Sequence, residues 1–249
     1  MIAFLLFQLF LSPFGENADP SAQEIVDKSI AWYGGVKNFN PAALSFDFRD
    51  RAYTYHQKGG QFVYTRSFTD TSGLVLVDRL DNMGLERTAN GSAVTLTDKD
   101  QQAYTNSINS VIYFAFLPWR LNDPAAMKTY LGQVSIKGKA YHKIRVTFRQ
   151  EGGGVDHDDV FIYWIGVAEP SLDYLAYSFQ VDGGGLRFRE AVNRRKVGKI
   201  KVQDYINYAP KDSGAALESL DELFEKDELK MLSRIELRNV VWRRKPYNP

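Results

Sequence analysis

The chain has 249 residues, with 31 Lys and Arg against 30 Asp and Glu, for a formal net charge of +1. That balance, without a long basic run, excludes nucleic acid as the main partner, since neutralising a phosphate backbone takes clustered Lys and Arg. Cysteine is absent, which excludes disulfides, thiolate zinc sites, cysteine nucleophiles and an acylated cysteine anchor. The 14 Tyr and 16 Phe suit a sheet-rich chain with a sizeable core.

Residues 2–11, IAFLLFQLFL, are too few to span a bilayer as a helix and read as the core of a signal peptide. No Lys or Arg precedes the run, and Gly15 and Ala18 are the best cleavage positions. The expected division is a leader over 1–18 and one domain over 19–249, exported to the periplasm or beyond.

Ser21 followed by Glu24 forms a capping box, and Ile25, Val26, Ile30 and Trp32 give a helical apolar stripe stopped by Gly34-Gly35. Alternating runs then predict strands over 44–55, 61–69, 74–80, 85–88 and 93–97, with Asn90-Gly91 as a hairpin turn. Residues 107–117, SINSVIYFAFL, predict a helix capped by Asn106 or Ser107 and stopped at Pro118. A second short helix is predicted from Leu121 to about Tyr130, then strands over 134–137 and 140–150.

Four strands are predicted between Asp156 and Tyr208, broken by Glu169-Pro170-Ser171, Asp182 to Gly185, and the turn around Gly198. An amphipathic helix over 214–229 and a strand over 232–243 complete the chain. So many short-linked strands are antiparallel, and a sheet of ten to twelve of them must curl as its twist accumulates. The expected fold is mainly β (α+β): a strongly curved antiparallel half-barrel, with the N-terminal helix and an inserted helical lid over its concave face.

The pieces AxxIVDKSIAWYGG, NSVIYFAFLPWRLND, HDDVFIYWI, LDYLAYSF, GGLRFREAVN and VQDYINY resemble an uncharacterised family of exported proteins from Bacteroidetes, the DUF6503 type. The resemblance covers nearly everything after the leader and implies no activity. The inferred architecture is also similar, at the level of fold, to the periplasmic LolA-like and LppX-like lipoprotein carriers and lipid-binding proteins. That similarity implies a half-barrel that holds acyl chains.

Arg187 and Arg189 share one face of their strand and are candidates to clamp a carboxylate or phosphate. A two-residue turn at Gly198-Lys199 would pair Asn193 with Asp204 and Arg189 with Tyr208, and Asn193, Asp204 and Tyr208 are expected to hold a polar headgroup together with Arg187 and Arg189. The alternative is a cross-strand ion-pair ladder of structural value only. Tyr163, Trp164, Tyr177 and Trp119 are candidates to line a cavity, with ordinary core packing as the alternative. His157 and Asp159 share a strand face and could serve a hydrolase, but no HxH, HExxH or GxSxG spacing accompanies them, and no metal or cofactor is expected. The reading adopted is a monomeric extracytoplasmic binding or carrier protein for a lipid, lipidated protein or other amphipathic ligand. A hydrolase using His157 and Asp159 and a ligand-free module docking an envelope protein are the alternatives.

Overall fold

The computed structural model describes residues 21–39, 43–149, 159–180 and 183–244; the expected leader and His157 lie outside them. Helix α1 (Ala22–Trp32) starts at the capping box, where the Ser21 hydroxyl accepts from the Glu24 amide and the Glu24 carboxylate accepts from the Ser21 amide. A single turn, α2 (Val36–Phe39), follows. The first strands are β1 (Ala43–Phe48), β2 (Arg51–Lys58), β3 (Gln61–Thr69), β4 (Val75–Asp81), β5 (Gly84–Ala89) and β6 (Ser92–Val94). Helix α3 (Asp98–Ala115) leads through a 3-10 turn (Trp119–Asn122) into β7 (Ala126–Ile136), β8 (Lys139–Phe148), β9 (Phe161–Gly166), β10 (Leu172–Phe179), β11 (Gly185–Val197) and β12 (Ile200–Pro210). A short helix α4 (Leu220–Glu225) precedes β13 (Leu229–Ile235) and β14 (Leu237–Arg243).

All pairings are antiparallel. The strands form two seven-stranded sheets, in the orders β14-β1-β2-β3-β4-β5-β6 and β13-β12-β11-β10-β9-β8-β7. Only Glu236 separates β13 from β14, so one run of chain closes the second sheet and opens the first. The result is the expected curved, unclosed antiparallel half-barrel, with fourteen strands among the described residues rather than ten to twelve. The extra strands arise where 44–55 and 232–243 each divide in two. Arg49 turns at φ 56°, and Glu236 lets the chain change sheets; neither point carries the Gly or Pro that marks such breaks in a sequence.

Two other expectations are corrected. The inserted helix begins at Thr97, whose hydroxyl caps Asp100, not at Asn106 or Ser107. Its first half, DKDQQAYTN, is too polar to show an apolar stripe, and only Ile108 and Ile112 are fully buried. Residues 126–130 are strand, not helix: exposure alternates with period two along all of β7.

The core lies on both sides of the second sheet. Phe161, Tyr163 and Ile165 of β9 face inward with α1, α3 and the first sheet, while Ile162 and Trp164 face outward under α4. That double burial is why β9 is buried at every position. In the first sheet, Asp78 accepts from Arg66 Nε at 2.8 Å and from Arg87 Nε at 2.6 Å. Arg66 also donates to Ser107 Oγ of α3 at 3.0 Å, and Arg87 lies 3.8 Å over the Tyr104 ring. One buried carboxylate therefore fixes the first half of α3 to the sheet.

Asp78→Asn leaves both arginines without their counter-charge and is expected to cost about 3–5 kcal/mol in urea denaturation; a loss below about 1 kcal/mol would show that the cluster does not carry α3. Gly198 turns β11 into β12 at φ 58°, and an added Cβ would lie 2.6 Å from Trp242 Cε3. Gly138 has φ 74° with open space around it. Both Gly→Ala changes carry a left-handed backbone cost of about 1–2 kcal/mol, so Gly198→Ala should exceed Gly138→Ala by the displacement of Trp242. Equal melting shifts would refute that close approach.

Candidate functional site

The concave face of the second sheet is written in rows across its strands. The pairings set Tyr163 beside Leu175, Leu175 beside Arg189, Arg189 beside Asn207, and Asn207 beside Ser233. The neighbouring row towards the β10–β11 turn runs Phe161, Tyr177, Arg187. Residues opposite each other in an antiparallel pair share a face, so these side chains stand together on the inner surface.

Arg189 sits within a cage of rings. Its guanidinium lies 3.9 Å over Phe114 of α3 and 5.1 Å from the Tyr177 centroid, and it donates to the Tyr177 hydroxyl at 2.9 Å. Only 8% of the residue is exposed. Among the described residues no carboxylate pairs with it, and its Nε has no acceptor. Burial pulls its pKa below the usual arginine value, yet a guanidinium keeps its proton in proteins, so the charge remains. Beside it the Tyr113 and Tyr163 hydroxyls share a 2.7 Å hydrogen bond. Burial, and then the neighbouring Tyr113, push the Tyr163 phenol well above its usual pKa, and burial pushes Tyr205 up to about 12. These phenols stay neutral and cannot answer the arginine.

Around this cage the rings are only half-buried: Tyr113 and Phe114 from α3, and Phe148, Tyr177 and Phe179 from the sheet. They meet at centroid separations of 5.2 to 6.1 Å. Arg187 lies at their edge, 4.6 Å over Phe179. The inner surface is thus occupied by side chains, with a partly buried aromatic rim and a buried cation beneath it.

The other residues singled out from the sequence lie elsewhere. The Gly198-Lys199 turn has two residues, as expected, but a bulge between Val192 and Arg195, with Asn193 at φ 49°, shifts the register by one. Val192 therefore pairs with Asp204, and Arg189 with Asn207 rather than Tyr208. Asn193 donates to Asp204 at 2.6 Å, away from Arg189 within the β11–β12–β14 joint. Tyr208 stands opposite Phe188 on the outer face and donates to Glu190 at 3.1 Å. Trp164 is also on that face, donating its indole N–H to Asp221 at 3.1 Å beside Lys143. Trp119 is inside, stacked 4.5 Å from Phe39, with its N–H unpartnered. Asp159 lies two residues before the first residue of β9.

The sequence reading missed Asn207 and Tyr205, and included Phe114 only as part of the inserted helical lid. Tyr205 takes the inner place beside Ala191; the bulge that puts it there shows only as an Asn able to adopt positive φ. No group of three or more His, Asp or Glu suited to a metal occurs among the described residues. A separate solvent-open cleft of about 490 Å³ lies between the β4–β5 turn and the start of α3, lined by Asp81, Asn82, Asp98, Gln101 and Asn109 among others. Its lining mixes these polar groups with Phe62, Leu80, Met83 and Leu85, unlike the ring cage.

Among solved structures, a LolA superfamily protein from Nitrosomonas europaea is similar to the chain with a TM-score of 0.51 at 14% identity, covering 91% of this chain and 96% of that one. A DUF1329 family protein from Desulfovibrio piger gives a TM-score of 0.48 at 8% identity, over 89% and 93% of the two chains. A domain described as that of an outer membrane lipoprotein-sorting protein from Vibrio parahaemolyticus gives 0.46 at 6% identity, over 90% and 91%. The first likeness establishes a LolA-like fold. No curated protein matches the sequence. The family model described as a family of unknown function, DUF6503, matches residues 1–237, and the chain belongs to that family.

Proposed function

We propose that the protein is an extracytoplasmic carrier or binding protein for an apolar or amphipathic ligand, a lipid or a lipidated protein, held in the concave face. The observation that supports this reading is the partly buried rim of rings from α3, β8 and β10 at the edge of the inner surface. Rings packed only for stability are ordinarily buried in full, whereas neighbouring rings left partly accessible suit the wall of a ligand site. The LolA-like fold agrees with a carrier role without assigning one.

The attachment of α3 suits such a role. Its first half is fixed by the charges around Asp78, while its second half rests on ring contacts and the Tyr113–Tyr163 hydroxyl pair. A hydrocarbon tail can take the place of Phe114 and Tyr113 against Phe161 and Tyr177 without uncovering a charge on the first sheet. In this reading Tyr163, Tyr177 and Trp119 belong to the wall and Arg187 to the rim. An export leader over 1–18 would place the protein outside the cytoplasm; among the described residues no helix is long and apolar enough to cross a membrane.

Two measurements test the reading. Purified protein should bind the apolar fluorophore N-phenyl-1-naphthylamine saturably at one site per chain, and the double change Phe148→Ser, Phe179→Ser should weaken binding about tenfold or more by removing apolar contact area. Solvent extraction of protein isolated from its own cells should release an amphiphile detectable by mass spectrometry. Absence of both saturable binding and an extractable amphiphile would overturn the carrier reading.

A further inference from the structure

Resting on the carrier reading, we propose that the ligand is an anionic amphiphile whose carboxylate or phosphate head is bound by Arg189. The argument begins with how the chain treats its other enclosed cations. Arg66 and Arg87 share Asp78, Lys143 pairs with Asp221 at 3.0 Å, and Arg194 pairs with Asp173 at 2.5 Å. Arg120, close to Tyr55 and Tyr64 on the inner side, has Asp123 at 3.6 Å. Arg189 is at least nine-tenths enclosed and has only a phenol and ring faces.

An enclosed charge costs several kcal/mol unless an opposite charge and hydrogen bonds answer it. The faces of Phe114 and Tyr177 recover part of that cost. They do not satisfy the Nε–H, which has no acceptor. A planar guanidinium with free donors matches carboxylate and phosphate oxygens, and it does so with greatest effect where water is excluded.

The surroundings provide for the same head. Asn207, directly across the pairing from Arg189, has a buried carboxamide oxygen with no donor. Its amide can turn its NH₂ towards an anion, and Ser233 lies next in the row with a hydroxyl. Arg187, two residues along the same face and half-exposed at the rim, gives an approaching anion a first point of attraction. A neutral ester or alcohol offers Arg189 an acceptor but leaves its charge uncompensated.

The test compares oleate, lysophosphatidic acid and oleyl alcohol as displacers of N-phenyl-1-naphthylamine from the whole protein. Oleate or lysophosphatidic acid should compete about ten- to a hundredfold better than oleyl alcohol, the range expected of one charge-assisted contact. Arg189→Met should reduce that preference to within about threefold while leaving the alcohol's affinity nearly unchanged. Whichever acid binds more tightly identifies a fatty-acid or a phosphate-headed source. Equal competition by all three in the wild-type protein would overturn this proposal and leave the carrier reading standing. Failure of all three together with the fluorophore would overturn this proposal, and the carrier reading with it where no amphiphile can be extracted either.

A second readout separates recognition from structure. Without ligand, Arg189→Met should unfold at the same or higher denaturant concentration than wild type, because it removes an uncompensated enclosed charge. A clear fall in that midpoint would mean that Arg189 holds the fold rather than the ligand. The wild-type comparison of head groups decides the proposal even where the variant does not fold.

Discussion

The inner surface of this half-barrel depends on one buried carboxylate, Asp204. Its Oδ1 accepts from the Leu237 amide at 2.9 Å and is ion-paired with Arg195 at 3.0 Å, and its Oδ2 accepts from Asn193 at 2.6 Å. Those donors are the first residue of β14 and two residues of the β11 bulge. A single side chain therefore joins the point where the chain changes sheets to the point where β11 and β12 shift register. A buried acceptor with its donors supplied resists loss of any one of them, since each loss strands a charge. Through the bulge, Asp204 also decides which residues of β12 face inward. Without that shift Tyr208, not Asn207, would stand across from Arg189.

Charge on the two faces of the second sheet is handled in opposite ways. On the outer face Asp221 of α4 answers Lys143 and takes the Trp164 N–H, so the layer of Phe188, Tyr174 and Phe224 is closed and electrically complete. The inner face keeps a cation among neutral phenols whose ionisation is suppressed by burial. A protein selected only for stability would gain by pairing or replacing that arginine, because apolar substitutes for enclosed charges are commonly as stable or more so. Its presence beneath an aromatic rim is the kind of local conflict expected at functional positions.

The curved antiparallel fold was legible because its signals are local. Asn90-Gly91, the alternation of Phe62, Tyr64, Arg66 and Phe68, and the Ser21–Glu24 box each act within a few residues, and each appears where it was read. The hidden features depend on distant partners. The polar start of α3 is held through Tyr104 and Ser107 by Arg66 and Arg87 of distant strands. The break at Glu236 has meaning only with Asp204 in place. The candidate site divided along the same line. Strand parity put Arg187 and Arg189 on one face, but only the bulge at Asn193 shows that Tyr205 and Asn207 accompany them while Tyr208 turns outward. Trp164 illustrates the same limit: in a strand buried on both faces, aromatic character does not reveal which core a ring belongs to.

The rings on the concave face also bear on where selectivity can come from. An alkyl tail that displaces Phe114 or Tyr113 exchanges ring-on-ring contact for ring-on-chain contact, both of them apolar and neither strongly directional. The net gain from that exchange varies little between tails of similar size, so the wall alone discriminates weakly. A polar group at a fixed place discriminates sharply, because a mismatched head leaves buried donors unmet. Arg189, with its free Nε and with Asn207 across the strand, is such a place. In the proposed carrier the apolar surface would supply the bulk of the contact area, and Arg189, which no carboxylate among the described residues answers, would supply the choice.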